Sequence, residues 1–91
     1  MQMEHERITA EGAALLGVLA ALVAEANEAW YGKRQYTLEY YGGKYVWVHW
    51  RPEVLTAGWK PTTVVPKDTR TTELALSAAI GRLRDEIGEA A

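Results

Sequence analysis

Two β-rich runs separated by Gly42-Gly43 constrain this chain more than any other feature. The stretch from Tyr36 to Pro52 reads YTLEYYGGKYVWVHWRP and holds six of the nine aromatic residues in the 91-residue sequence. Aromatic and β-branched residues favour strands, and paired glycines between two such runs mark a hairpin turn. The loop length sets which side chains share a face. A two-residue loop at 42–43 pairs Leu38 with Trp47 and Thr37 with Val48, mixing polar and apolar groups on both faces. A three-residue loop, Tyr41-Gly42-Gly43, pairs Leu38 with Val46 and Tyr36 with Val48, and gives Gly43 the left-handed position of a bulged turn. The second register sorts the chemistry. One face is Tyr36, Leu38, Tyr40, Val46, Val48 and Trp50. The other is Thr37, Glu39, Tyr45, Trp47 and His49, with Gln35 and Arg51 at the open end.

The flanking sequence predicts two helices. Thr9 is an N-cap residue with Glu11 in the first turn, and Gly32 is a C-terminal stop. Between them, Ile8, Leu15, Leu16, Leu19, Leu22, Val23, Ala26 and Trp30 fall on one arc at 100° per residue. The opposite side holds Ala13, Gly17, Ala20, Ala21 and Ala24, where exposed helices usually carry Lys and Glu. These small side chains let another backbone approach closely, so they are expected to form an oligomer interface, in a homodimer. The second helix starts near Thr71 or Thr72. It carries Leu76, Ala79, Ile80, Leu83, Ile87 and Ala90 on one arc and ends near Gly88. Thr62–Val65, between Pro61 and Pro66, reads as a short third strand at a sheet edge. The expected fold is α+β, one domain over residues 1–91, in the order α-β-β-(β)-α. A small antiparallel sheet (hairpin 35–51, third strand 62–65) carries an N-terminal and a C-terminal helix, and the polar segment 1–7 is expected to be flexible and to fray.

Composition narrows the function. The chain is 48% hydrophobic and 24% charged, which is too apolar for a disordered tail. Its net charge of −2 gives no general field for phosphate backbones. Cysteine is absent, which removes thiol catalysis and Cys-ligated zinc and favours a cytoplasmic location. The longest uncharged apolar run, GAALLGVLAALVA at 12–24, falls short of the ~20 residues that span a bilayer, so no membrane association is expected. The catalytic inventory is thin: Ser77, Asp68, Asp85, His5 and His49, with no GxSxG, Walker A, HExxH or GxGxxG pattern. No catalytic residue, metal ligand or cofactor is expected, and the chain does not read as an enzyme.

What remains is binding. Tyr and Trp bury much area at low entropic cost and dominate binding hot spots. Tyr45, Trp47, His49, Arg51 and Trp59 are the expected partner contacts. The order helix, three strands, helix also matches the double-stranded-RNA-binding domain in topology. Such domains use a lysine-rich start of their last helix, whereas Lys67-Asp68-Thr69-Arg70-Thr71-Thr72-Glu73 here mixes two bases with two acids. Stacking of unpaired bases on the aromatic face is the alternative nucleic-acid mode.

The hairpin with its tryptophans, the Thr-rich loop and TTELALSAAIGRLRDEI together resemble small phage and prophage accessory proteins of α/β/α-sandwich type. The likeness covers about Tyr36 to Ile87, with Leu76, Ala79, Ile80, Arg82 and Leu83 on the C-terminal helix. The resemblance implies a small mobile-element protein that acts by binding, such as an inhibitor of a host defence nuclease of the anti-CRISPR kind. It supplies no catalytic residues.

Overall fold

A computed structural model describes residues 9–41, 45–54, 57–68 and 72–90. The element order is α1 (Ala10–Ala29), β1 (Arg34–Tyr41), β2 (Tyr45–Pro52), β3 (Thr62–Asp68) and α2 (Thr72–Glu89). This is the expected α+β arrangement, with the third strand extended beyond Val65 to Asp68. The sheet is antiparallel in the order β1-β2-β3, so the aromatic strand β2 is central.

Both helices lie on one face of that sheet. Leu19 and Ala26 of α1, Ala75, Leu76, Ala79, Ile80 and Leu83 of α2, and Tyr36, Val46, Val48, Val64 and Val65 of the strands form one buried cluster. The molecule is only 15 Å thick along its shortest axis. Two layers about 10 Å apart fit that dimension and three do not. The helices and the sheet therefore form two layers, not an α/β/α sandwich.

The helices run in the same direction, joined at both ends. At the N-terminal end, Thr9 Oγ1 accepts from the Gly12 amide at 2.9 Å, as an N-cap should, and donates to Glu73 Oε2 of α2. That bond holds the Glu73 carboxyl below its usual range. At the other end, Trp30 Nε1 donates to the Glu86 carbonyl at 2.9 Å. Gly32, with φ +84°, then turns the chain from α1 into β1, a backbone state that glycine adopts without a Cβ clash.

The hairpin register differs from the expected one. Tyr41 pairs with Tyr45, Glu39 with Trp47, Thr37 with His49 and Tyr36 with Trp50. Three residues, 42–44, separate the strands, rather than 41–43. The expected bulge at Gly43 lies outside the described residues. The pairing is displaced by two positions, so each side chain keeps its predicted face while its cross-strand partner changes. An even shift preserves the two-residue period that faces depend on, and that period is what the sequence pattern reports.

The β2–β3 ladder is interrupted twice, between Val46 and Val48 and between Val48 and His49. At the second irregularity Val64 has no opposite residue, and both Val64 and Val65 are buried. A bulge of this kind lets two consecutive residues turn inward. Pro66 sits at the first irregularity, on an edge strand, where a missing amide donor is tolerated.

Candidate functional site

With both helices on the inner face, neither lies over the outer one. The outer positions of β1 and β2 carry Gln35, Thr37, Glu39, Tyr45, Trp47, His49 and Arg51, in line with the expected face. Tyr45, Trp47 and His49 are half-buried, while Gln35, Thr37 and Arg51 are exposed. The Trp47 and His49 rings pack with centroids 4.2 Å apart and planes tilted by 39°.

Glu39 reaches two of these three β2 residues. Its Oε1 accepts from the Tyr45 hydroxyl at 3.5 Å, and its Oε2 lies 3.6 Å from His49 Nε2. The His49 side chain is 15% exposed and Glu39 is 43% exposed. His49 Nε2 is closed off from solvent and lacks a hydrogen-bond partner, since 3.6 Å is beyond bonding length. The carboxylate thus spreads two long contacts and keeps much of its charge toward solvent.

The other expected contacts separate from this group. Arg51 lies one outer position beyond His49, and its Nε donates to Gln35 Oε1 at 2.8 Å, closing the open end of the hairpin. Trp59 stands exposed in the connection between β2 and β3. The structure brings Tyr45, Trp47 and His49 together with Glu39. Val54, in the same connection, is 75% exposed, and Tyr31 at the end of α1 is 82% exposed. Among the described residues no group of three His, Cys, Asp or Glu side chains is placed to hold a metal ion.

A second constellation, on the inner side at the open end, has no forerunner in the sequence reading. The Arg34 guanidinium lies between two indoles, 3.6 Å from the Trp30 ring centroid and 4.2 Å from that of Trp50. Its Nη1 donates to Glu86 Oε1 at 2.9 Å and to the Tyr36 hydroxyl at 3.0 Å. The Tyr36 hydroxyl donates to the same Glu86 oxygen at 2.7 Å. Burial pushes the Tyr36 hydroxyl up to about 12; the Arg34 bond pulls against this and the neighbouring Glu86 carboxylate adds to it. Glu86 is thus a half-buried anchor, with 20% of its side chain exposed. This clamp ties the ends of α1, β1, β2 and α2.

The small-residue side of α1 is exposed at Ala13, Gly17, Ala20, Ala21 and Ala24, as expected. A Cβ placed on Gly17 meets nothing within 4 Å. The whole 20-residue helix is long and apolar enough, by length and composition, to cross a membrane. Its opposite side nevertheless lies in the core, with Leu19 and Ala26 fully buried.

No family model matches this chain, and no curated protein or solved structure shows significant similarity to it.

Proposed function

We propose that this chain is a non-enzymatic protein-binding module that engages its partner through the outer face of the sheet. One observation carries the reading: the central strand presents Tyr45, Trp47 and His49 on the face away from both helices. A domain that needed these side chains only for its core would send them inward, where Val46 and Val48 already fill that role. Aromatic side chains on a rigid strand lose little entropy on binding, and they give large contact area.

The test is selection of ligands from a displayed dodecapeptide library against the wild-type protein, followed by binding to Trp47→Ala and His49→Ala. Neither residue belongs to the core cluster, so both variants are expected to fold with the wild-type circular dichroism spectrum. Selected peptides should lose at least tenfold in affinity for Trp47→Ala, in keeping with hot-spot losses above about 1.4 kcal/mol. Equal binding to wild type and both folded variants would refute this reading. The narrower role of a mobile-element inhibitor rests on the sequence resemblance, and binding assays against host defence nucleases address it.

Self-association through α1 is a second surface reading, supported by the open backbone at Gly17 and the exposed alanines beside it. Sedimentation at increasing concentration tests it directly. Single-stranded nucleic acid on the outer face is less favoured, because a phosphate chain tracking β2 meets the Glu39 carboxylate there.

A further inference from the structure

The clamp at the open end of the sheet leaves part of its own chemistry unused. Of the Arg34 guanidinium only Nη1 is engaged, donating to Glu86 Oε1 at 2.9 Å and to the Tyr36 hydroxyl at 3.0 Å. Nε and Nη2 have no hydrogen-bond partner among the described residues. The Trp50 indole N–H, in the same stack, has none either, whereas that of Trp30 donates to the Glu86 carbonyl. These groups are not sealed in. Among the described residues the unpartnered polar side-chain atom closed off from solvent is His49 Nε2. The free N–H groups of the stack therefore reach water, and 22% of the Arg34 side chain is exposed.

The way the guanidinium is held decides what it accepts. Trp30 and Trp50 lie over its two faces, with ring centroids 3.6 and 4.2 Å from Cζ. A further ring cannot stack on it, and its plane is fixed before any ligand arrives. What stays open is an edge. The Nε and Nη2 hydrogens on that edge run parallel in the guanidinium plane, a fork that matches the two oxygens of a carboxylate. A fork already held in place costs less entropy to fill. Glu86 balances the Arg34 charge from the Nη1 end, so a second anion is held by directed hydrogen bonds more than by net charge. A monoanionic carboxylate meets less repulsion from Glu86 than a dianionic phosphate does.

We propose that the open edge of Arg34, between the Trp30 and Trp50 rings, is a subsite for a carboxylate of a binding partner, from a chain terminus or an acidic side chain. It lies on the inner side of the sheet and is independent of the outer face. Side-chain N–H spectra of the isotope-labelled full chain test it. The Arg34 Nε–H and the Trp50 indole N–H are the reporters, and the exposed Arg82 and Arg84 are the internal comparison. Acetate at constant ionic strength should move both reporters saturably, with half-saturation at ~10 mM, the range of one bidentate charge-assisted pair. Arg82 and Arg84 should drift linearly. N-acetylleucine presents a terminal carboxylate and N-acetylglutamate α-amide a side-chain one, and the tighter of the two identifies the source. N-acetylleucinamide, which lacks the charge, should move neither reporter.

Arg34→Lys keeps the charge and loses the fork, so acetate affinity read at the Trp50 indole should fall at least tenfold. Glu86→Gln keeps the fork and removes the competing charge, so acetate should bind several-fold tighter, a readout that stands if the lysine variant does not fold. Arg34 shifts no larger than those of Arg82 and Arg84 would overturn the proposal. So would tighter binding of phosphate than of any carboxylate, or unchanged acetate affinity in a folded Arg34→Lys.

Discussion

Replacement of Arg34 by alanine probes the inner clamp, which holds the outer face in place by fixing the ends of four elements. The guanidinium is stacked between Trp30 and Trp50 and bonded to Glu86 and Tyr36, with 22% of its side chain exposed. Each cation–π contact at a largely desolvated site contributes about 1 kcal/mol. The charge-assisted bond to Glu86 adds about 1 kcal/mol, at the low end for such bonds, because Glu86 keeps the Tyr36 hydroxyl as a donor and stays in reach of water. These contacts share one side chain and do not add in full. The expected loss is therefore about 2–3 kcal/mol. A domain of this size has roughly 5–14 kcal/mol of stability in all. With a urea dependence near 1 kcal/mol per molar, the midpoint should fall by about 2–3 M. Arg34→Lys separates charge from shape. An ammonium keeps the attraction to Glu86 but cannot lie flat between two rings, so lysine should recover less than half of the loss. A loss below about 0.5 kcal/mol for alanine, or full recovery with lysine, would refute the sandwich as a source of stability.

Three further perturbations give distinct signatures. Tyr36→Phe removes the hydroxyl whose pKa is pushed to about 12, above its ordinary value near 10. The folded state then holds that proton more tightly than the unfolded state, so the contribution is complete below pH 10 and is lost as pH rises from 10 to 12. Urea midpoints measured across this window should fall more steeply for wild type than for Tyr36→Phe, by at most ~1.4 kcal/mol per pH unit. Asn27→Ala removes two bonds that close the free edge of β1, from Asn27 Nδ2 to the Tyr36 carbonyl and from the Tyr36 amide to Asn27 Oδ1. It should cost about 1–3 kcal/mol and deprotect the Tyr36 amide in hydrogen exchange. Gly17→Ala should stabilise the dilute protein by about 0.5–1 kcal/mol, because the added methyl meets open space on a helix interior. If α1 self-associates through Gly17, the same change should weaken association in concentrated solution, which sedimentation would read.

Much of this architecture is written in residue periods. The 3.6-residue spacing from Leu15 to Ala26 and the two-residue alternation from Tyr36 to Trp50 each survive a local error, and so the helices, the strand faces and the aromatic outer surface are legible. Thr9 as a cap is legible because its chemistry is local. Register is less so. Two three-residue loops two pairing positions apart give the same faces, so the pattern cannot choose between 41–43 and 42–44. The extension of β3 past Pro66 depends on a bulge, which a reading that stops strands at proline misses. The Arg34 clamp was hidden for a different reason. Its members are separated by up to 56 positions in the chain, and the sequence shows Glu86 only as one acid among several on an amphipathic helix. Only the parallel course of α1 and α2 brings that carboxylate to Arg34. Within the expected site, strand parity groups Tyr45, Trp47 and His49 correctly, while Trp59 lies in a loop whose position no periodicity encodes.

The central claim is that partners dock on the outer sheet face and not on α1. Backbone and indole amide chemical-shift mapping with a library-selected peptide tests it in one titration. The account predicts the largest changes at Thr37, Glu39, Tyr45, Trp47 and His49, including the Trp47 indole N–H, with Ala13 to Ala24 unmoved. Changes concentrated on Ala13, Gly17, Ala20, Ala21 and Ala24, with the outer strand positions silent, would contradict it.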